Sequence, residues 1–216
     1  MGISGLTRQP GSDHSVTALL LSNFVTIILA VYQQWDVSVL MWIYWGQSVV
    51  IGYFNVQRIV DLKEFSTRGF RINNQAVDPT PETQRKTAVF FALHYGFFHL
   101  AYLVFLGTQT ETAAVFPVVS VVLCVLVFYI NHRFSYHYNQ SMEQGRVPNI
   151  GSIMFFPYVR IIPMHLMIVA GGTFFAGSQG ALITFLLLKT AADVAMHVIE
   201  HAMARGAVER AQARFP

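Results

Sequence analysis

The chain contains several apolar runs that are each long enough to cross a lipid bilayer. A helix needs about 20 mainly apolar residues to span the hydrocarbon core, and its backbone satisfies its own hydrogen bonds there. Hydrophobic residues make up 54% of the 216 residues and charged residues 12%, about half the charged fraction usual in soluble domains. The sequence therefore predicts an integral membrane protein built from helices, with the lipid bilayer as its main partner.

Six such runs are separated by polar or turn-forming segments. They predict an all-α, polytopic bundle of six transmembrane helices that forms a single domain over residues 1–216. A polar N-terminal segment (1–15), a loop (61–86) and a basic C-terminal tail (204–216) flank or connect the helices. The predicted spans are residues 16–34, 37–60, 87–107, 113–137, 158–176 and 180–203.

Basic residues fall on one side of these predicted helices. The connections QQWD, QTET and GSQ contain no Lys or Arg, whereas the alternate connections and the tail are basic. The positive-inside rule therefore places both termini in the cytoplasm. Because the basic residues are spread over several segments, we expect contact with lipid headgroups and no nucleic-acid partner. The residues concerned are Lys63, Arg68, Arg71, Arg85, Lys86, Arg146, Arg205, Arg210 and Arg214.

Polar side chains recur at one predicted depth. Counted at about 1.5 Å per residue, Asn55, His94, His132, His165 and His197 each lie about 8–10 Å from the cytoplasmic end of their span. Ionisable groups at the centre of a span cost about 2.5–3.5 kcal/mol each, so they normally face the bundle interior and find partners. Five helices thus contribute to one predicted polar layer.

The last span carries the densest polarity, in the segment KTAADVAMHVIEH (189–201). Lys189, Asp193, His197 and Glu200 recur every three or four residues, so they share one face of a helix, with His201 beside them. This stripe is expected to line the bundle interior, because facing lipid would leave polar groups unpaired in hydrocarbon.

Neutral imidazoles with a carboxylate suit a transition metal ion such as Zn, Fe or Cu. The single cysteine, Cys124, excludes a disulfide or a thiolate cluster within one chain. The sequence therefore predicts a metal site in the cytoplasmic half. Its ligands are expected among His94, His165, Asp193 and His197, with His132, Asn55 and His201 as further candidates.

The segment from His197 to His201 also matches the pattern H-x-x-E-H. In that pattern two helical histidines bind zinc and the glutamate acts as general base, which makes Glu200 the candidate catalytic residue. On the third span, His94 and His99 are five residues apart and so point about 140° away from each other. We expect His94 to face inward and His99 to be a second-layer or helix-packing residue.

Four segments resemble an uncharacterised family of bacterial six-helix membrane proteins, known only as a domain of unknown function. They are YWGQSVVIGYFN (44–55), LHYGFFH (93–99), PYVRIIPMH (157–165) and KTAADVAMHVIEH (189–201). The resemblance implies a multi-pass protein of the bacterial inner membrane and implies no activity. Gln47 departs from the family pattern, in which glutamate is usual, and this weakens any role of position 47 as a charged ligand.

The residues leave several functions open. The histidines can instead be packing residues that make interhelical hydrogen bonds. Facing imidazoles such as His94 and His197 suit haem ligation, and Lys189 with Asp193 suits a proton or ion relay. A non-catalytic accessory subunit of a larger membrane complex, or a homo-oligomer, is a further alternative.

Overall fold

The computed structural model describes residues 34–110, 118–142, 147–174 and 179–212, together with isolated positions between Leu20 and Tyr32. Apart from one two-stranded hairpin, the regular structure in this part of the chain is helical, which confirms the all-α prediction there. The predicted span 16–34 falls largely outside the described residues. The elements are α1 (Val37–Val60), β1 (Arg71–Ile72), β2 (Gln75–Ala76), α2 (Pro81–Thr110), α3 (Val118–Met142), α4 (Ile150–Phe174) and α5 (Gln179–Gln212).

Three helices among the described residues are long and apolar enough to cross a membrane. They are α1, residues Pro81–Thr108 of α2 and residues Ile150–Val169 of α4. Residues Val118–Phe134 of α3 form a shorter apolar helix. Large apolar side chains such as Leu93 (71%) and Phe97 (67%) are exposed on these helices, which is the surface expected for contact with lipid. These features indicate a helical membrane protein.

Two helices begin earlier than their apolar runs predict. α2 begins at Pro81 rather than at residue 87, because Thr80 caps it: its Oγ1 accepts a hydrogen bond from the Thr83 backbone N–H at 3.2 Å. α4 begins at Ile150 rather than at residue 158, and Asn149 caps it through its Oδ1. Residues of these helices therefore lie further from the helix start than predicted, by about 9 Å for α2 and about 12 Å for α4.

Among the five helices of the described residues, α1 packs against each of the other four. A Cβ added at Gly52 would lie 2.5 Å from Cε1 of Tyr95 on α2, and one added at Gly46 would lie 2.5 Å from Cγ2 of Val125 on α3. The two glycines therefore allow α2 and α3 to approach α1 closely. The core around them includes Tyr44, Ile59, Phe91, Leu106, Met164 and Phe185.

The connection between α1 and α2 fixes the start of α4. The Ser66 backbone N–H donates to the Pro148 carbonyl at 2.8 Å, and the Ile150 N–H donates to the Ser66 carbonyl at 3.0 Å. Gln84 Nε2 lies 2.8–2.9 Å from three carbonyl oxygens at the end of α1, where helical carbonyls lack intrahelical donors. These bonds hold α1, α2 and α4 together at one end of the bundle.

Candidate functional site

The polar stripe predicted on the last helix begins with an ion pair. Lys189 Nζ lies 2.7 Å from Asp193 Oδ2, one turn further along α5. The Asp193 side chain is 16% exposed and the Lys189 side chain 30%, so both are turned largely towards the rest of the protein. Pairing offsets part of the cost of placing two charges in an apolar helix bundle.

Tyr44 of α1 links this pair to α4. Its hydroxyl donates a hydrogen bond to the backbone carbonyl of Arg160. Its ring packs edge-on against Phe185 of α5, with the ring centroids 5.5 Å apart. Phe185 lies one turn before Lys189 on α5, so Tyr44 contacts α5 next to the ion pair. Three helices thus meet at one polar region, which we name the α5 polar site and define as Tyr44, Arg160, Lys189 and Asp193.

The remaining residues of the stripe lie beyond the ion pair. α5 continues to Gln212, so His197, Glu200 and His201 belong to the same uninterrupted helix, one to two turns past Asp193. Their side chains lie outside the described part of the structure. The metal-binding and catalytic roles expected for these three residues therefore stay predictions.

Two of the predicted ligands lie between α2 and α4 instead. His94 Nδ1 is 2.9 Å from the Tyr158 hydroxyl oxygen, and His165 Nδ1 is 3.0 Å from the Tyr102 hydroxyl oxygen. The Phe98 ring lies beside both imidazoles, with centroid distances of 5.1 Å to His94 and 6.1 Å to His165 and interplanar angles of 81° and 88°. We name these five residues the α2–α4 seam.

The imidazoles of the seam lie at different levels. His94 is level with Tyr158, whereas His165 lies seven residues further along α4, which is about 10 Å along the helix axis. The single level expected for His94 and His165 is not observed, because α2 and α4 are displaced along their axes so that His94 pairs with Tyr158 and His165 with Tyr102. Zn–N bonds are about 2.0–2.1 Å long, so rings held in this way do not meet at one ion.

The inward-facing histidine of α2 is His99. It is 5% exposed and stacks on Tyr95 with a centroid distance of 4.2 Å, as expected for a helix-packing residue. Its Nδ1 is 2.9 Å from the Tyr95 carbonyl and donates to it, since a carbonyl only accepts. The expectation that His94 faces inward is wrong: it lies on an exposed side of α2, about 100° from Tyr95 around the helix.

The two remaining candidates with described side chains, His132 and Asn55, lie on α3 and α1. The His132 ring on α3 stacks on Phe128 (centroids 5.6 Å apart) and lies 5.1 Å from the Phe54 ring of α1. Asn55 is buried on α1, and its Nδ2 has no hydrogen-bond partner among the described residues. Within the described ranges, no three His, Cys, Asp or Glu side chains are close enough to hold a metal ion.

The tyrosines that hold the imidazoles were not predicted from the sequence, although a signal for them exists. α2 carries His94 followed eight residues later by Tyr102, and α4 carries Tyr158 followed seven residues later by His165. Because these pairs match in chain order, α2 and α4 run in the same direction. One helix has His before Tyr and the other has Tyr before His, at nearly equal spacing. In two parallel helices this order predicts two His–Tyr hydrogen bonds, one at each level.

Together, the three long apolar helices and their exposed apolar side chains indicate a helical membrane protein, which carries an ion pair on α5 and two His–Tyr pairs between α2 and α4. The chain belongs to a family of unknown function, DUF6498, whose family model matches residues 6–210. This confirms the predicted membership of an uncharacterised family. No curated protein and no solved structure matches the chain.

Proposed function

We propose that the protein is a multi-pass protein of the bacterial inner membrane, with six spans in a single domain and both termini in the cytoplasm. The three apolar helices support membrane insertion. Lys63, Arg68 and Arg71 are exposed in the connection between α1 and α2, as the positive-inside rule expects for a cytoplasmic loop. The proposal requires that residues 16–34, α3 and α5 also cross the membrane.

We propose that its function is to bind a transition metal ion, Zn, Fe or Cu, on α5. The supporting observation is the inward-turned Asp193 on an unbroken helix that continues through His197 and His201. Residues four positions apart share a helix face, so these three residues form one row. Two imidazoles and a carboxylate suit these metals, and Glu200 beside them suits a general base if the metal supports hydrolysis.

Three other predicted ligands are not part of this proposal. His94 and His165 are hydrogen-bonded to tyrosines across the α2–α4 seam, and the His132 ring packs against α1. None of these contacts involves α5. The proposed ligand set therefore comes from one helix, and the remaining coordination positions are left for water or a substrate.

Elemental analysis of the purified protein tests the metal proposal. Wild-type protein, prepared without chelators, is expected to contain stoichiometric metal, whereas His197→Ala and His201→Ala lose it. His137→Ala is the matched control, because this histidine is exposed on α3 and should leave the metal content unchanged. Metal-free wild-type protein, or full metal content in both α5 variants, would contradict the proposal.

A proton relay is the second candidate function, and the Lys189–Asp193 ion pair favours it. The carboxylate already has a cationic partner at 2.7 Å, and intramembrane ion pairs are typical of proton pathways. In proteoliposomes with an imposed potassium diffusion potential, proton uptake is then expected for the wild-type protein and for His197→Ala. Asp193→Asn should abolish the uptake, whereas proton flux that persists in Asp193→Asn would exclude the relay.

The same purified sample tests the two remaining alternatives. A haem-binding protein would show a Soret absorption band. A non-catalytic accessory subunit would co-purify with a stoichiometric partner and contain no metal, and a homo-oligomer would show its mass in size-exclusion chromatography with light scattering.

A further inference from the structure

The α2–α4 seam opens towards lipid. His94 and His165 are exposed, and so are their apolar neighbours Phe97 (67%), Ile162 (49%) and Val169 (68%). The seam lies within the parts of α2 and α4 that are apolar enough to cross a membrane. In a bilayer the exposed side of the seam would face hydrocarbon, where a polar group without a hydrogen-bond partner is costly.

Each imidazole of the seam has one nitrogen that the described residues leave without a hydrogen bond. The Nδ1 atoms of His94 and His165 are bonded to tyrosine hydroxyls, and both Nε2 atoms remain. A hydroxyl donates or accepts, so each pair has two forms. When the tyrosine donates to Nδ1, Nε2 carries the proton and donates; when Nδ1 donates to the tyrosine, Nε2 accepts. The seam thus offers two adaptable hydrogen-bonding points.

The spacing of the two points suits a six-membered ring with oxygen atoms at opposite positions. The distances from Phe98 place the imidazole centroids of His94 and His165 at most about 11 Å apart. Two oxygens across such a ring are about 5 Å apart, and a hydrogen bond at each end adds about 2.8 Å. The total, about 11 Å, is the separation of two Nε2 atoms that such a ring bridges, and it is compatible with the upper limit on the distance between the imidazole centroids. The partly exposed Phe98 ring, which contacts both imidazoles, offers a surface for stacking.

We propose that the α2–α4 seam binds a quinone, or the corresponding hydroquinone, from the lipid phase. One oxygen contacts His94 Nε2, the other contacts His165 Nε2, and the ring packs on Phe98. The adaptable His–Tyr pairs allow Nε2 to donate to a quinone carbonyl and to accept from a hydroquinone hydroxyl. No residue of the proposed metal site takes part, so either proposal can fail without the other.

Binding of decylubiquinone to the full-length protein in phosphatidylcholine nanodiscs tests this site. The quinone retained by captured nanodiscs is extracted and quantified by chromatography, with empty nanodiscs as the background. His94→Phe and His165→Phe are each expected to raise Kd about tenfold, the effect of losing one hydrogen bond in an apolar site. His137→Phe, a matched change of an exposed histidine outside the seam, should leave Kd unchanged.

Tyr102→Phe and Tyr158→Phe provide a second set of variants. They keep both imidazoles and remove the hydroxyls that set the tautomers, so they should weaken binding by a smaller factor. If the histidine variants do not fold, these two variants decide the outcome. Retention equal to that of empty nanodiscs, or unchanged Kd in the His94→Phe/His165→Phe double variant or in both tyrosine variants, overturns the proposal.

A one-ended probe tests the two-point contact. A phenol with a single hydroxyl and the same ten-carbon tail can bond only one imidazole at a time. It is expected to bind about tenfold more weakly than decylubiquinone. Equal affinity for the two probes overturns the assignment of the quinone's two oxygens to His94 and His165.

Discussion

The two sides of α2 hold histidine and tyrosine side chains in different ways. On the side that faces α1, the bonds end on backbone carbonyls: Tyr95 Oη donates to the Ser48 carbonyl at 3.1 Å, and Trp45 Nε1 donates to the His99 carbonyl at 2.9 Å. Tyr95 and His99 are both about 95% buried. Because backbone carbonyls are fixed by the helix, these bonds fix the position of α2 on α1.

On the side that faces α4, the bonds join side chain to side chain. The His94–Tyr158 pair is exposed, and neither group is bonded to the backbone of the opposite helix. Such a bond can reverse its direction without moving a helix, because a hydroxyl and an imidazole both donate and accept. The comparison suggests a rule for this protein: the α1–α2 contact is structural, whereas the α2–α4 seam has groups available to a ligand.

Gly52→Ala should have the largest effect on stability in the α1–α2 contact. The new methyl would lie 2.5 Å from Tyr95 Cε1, and the hydrogen bond of Tyr95 to Ser48 keeps the ring from withdrawing. The free energy of unfolding, measured in mixed micelles with increasing SDS, is expected to fall by about 1–3 kcal/mol. Gly96→Ala on α2 is the control, because a Cβ there meets open space. Equal losses in the two variants would show that the contact is not tight.

Tyr95→Phe should have the next largest effect. It removes a buried hydroxyl that donates to the Ser48 carbonyl and leaves the ring packing intact. The expected loss in the free energy of unfolding is about 1 kcal/mol, above the membrane average of about 0.6 and below the maximum of about 1.7, because this interhelical bond is buried. Tyr53→Phe on α1 is the matched control, since the Tyr53 side chain is 51% exposed and its change should be close to zero. A Tyr95→Phe variant as stable as the control would mean that the α1–α2 bonds do not fix the helices.

The positions of the helices along the chain were largely predictable from the sequence. Long apolar runs identified α1, α2 and α4 because the bilayer sets the length of a span. The i, i+4 spacing also predicted that Lys189 and Asp193 share a face, and the two do form an ion pair. The predicted spans began later than α2 and α4 because the first turns after the caps Thr80 and Asn149 lie outside the apolar runs.

The rotation of each helix about its axis was not predictable in the same way. α2 buries Phe91 (0% exposed) and exposes Phe97 (67%), since lipid and protein interior are both apolar surroundings for a side chain. The apolar pattern therefore does not separate the two faces. The same ambiguity led to the wrong prediction that His94, rather than His99, faces the interior.

Tyr158→Phe should have the smallest effect on stability and the most informative one. The ring keeps its contacts with Phe91 and Tyr95, at centroid distances of 5.7 and 5.5 Å, and only the bond to His94 is lost. The expected change in the free energy of unfolding is about 0.6 kcal/mol, the average for interhelical hydrogen bonds in membranes. A His94→Phe/Tyr158→Phe double-mutant cycle isolates the pair. If Tyr158→Phe costs more than Tyr95→Phe, the seam is as structural as the α1–α2 contact, and the distinction between the two sides of α2 fails.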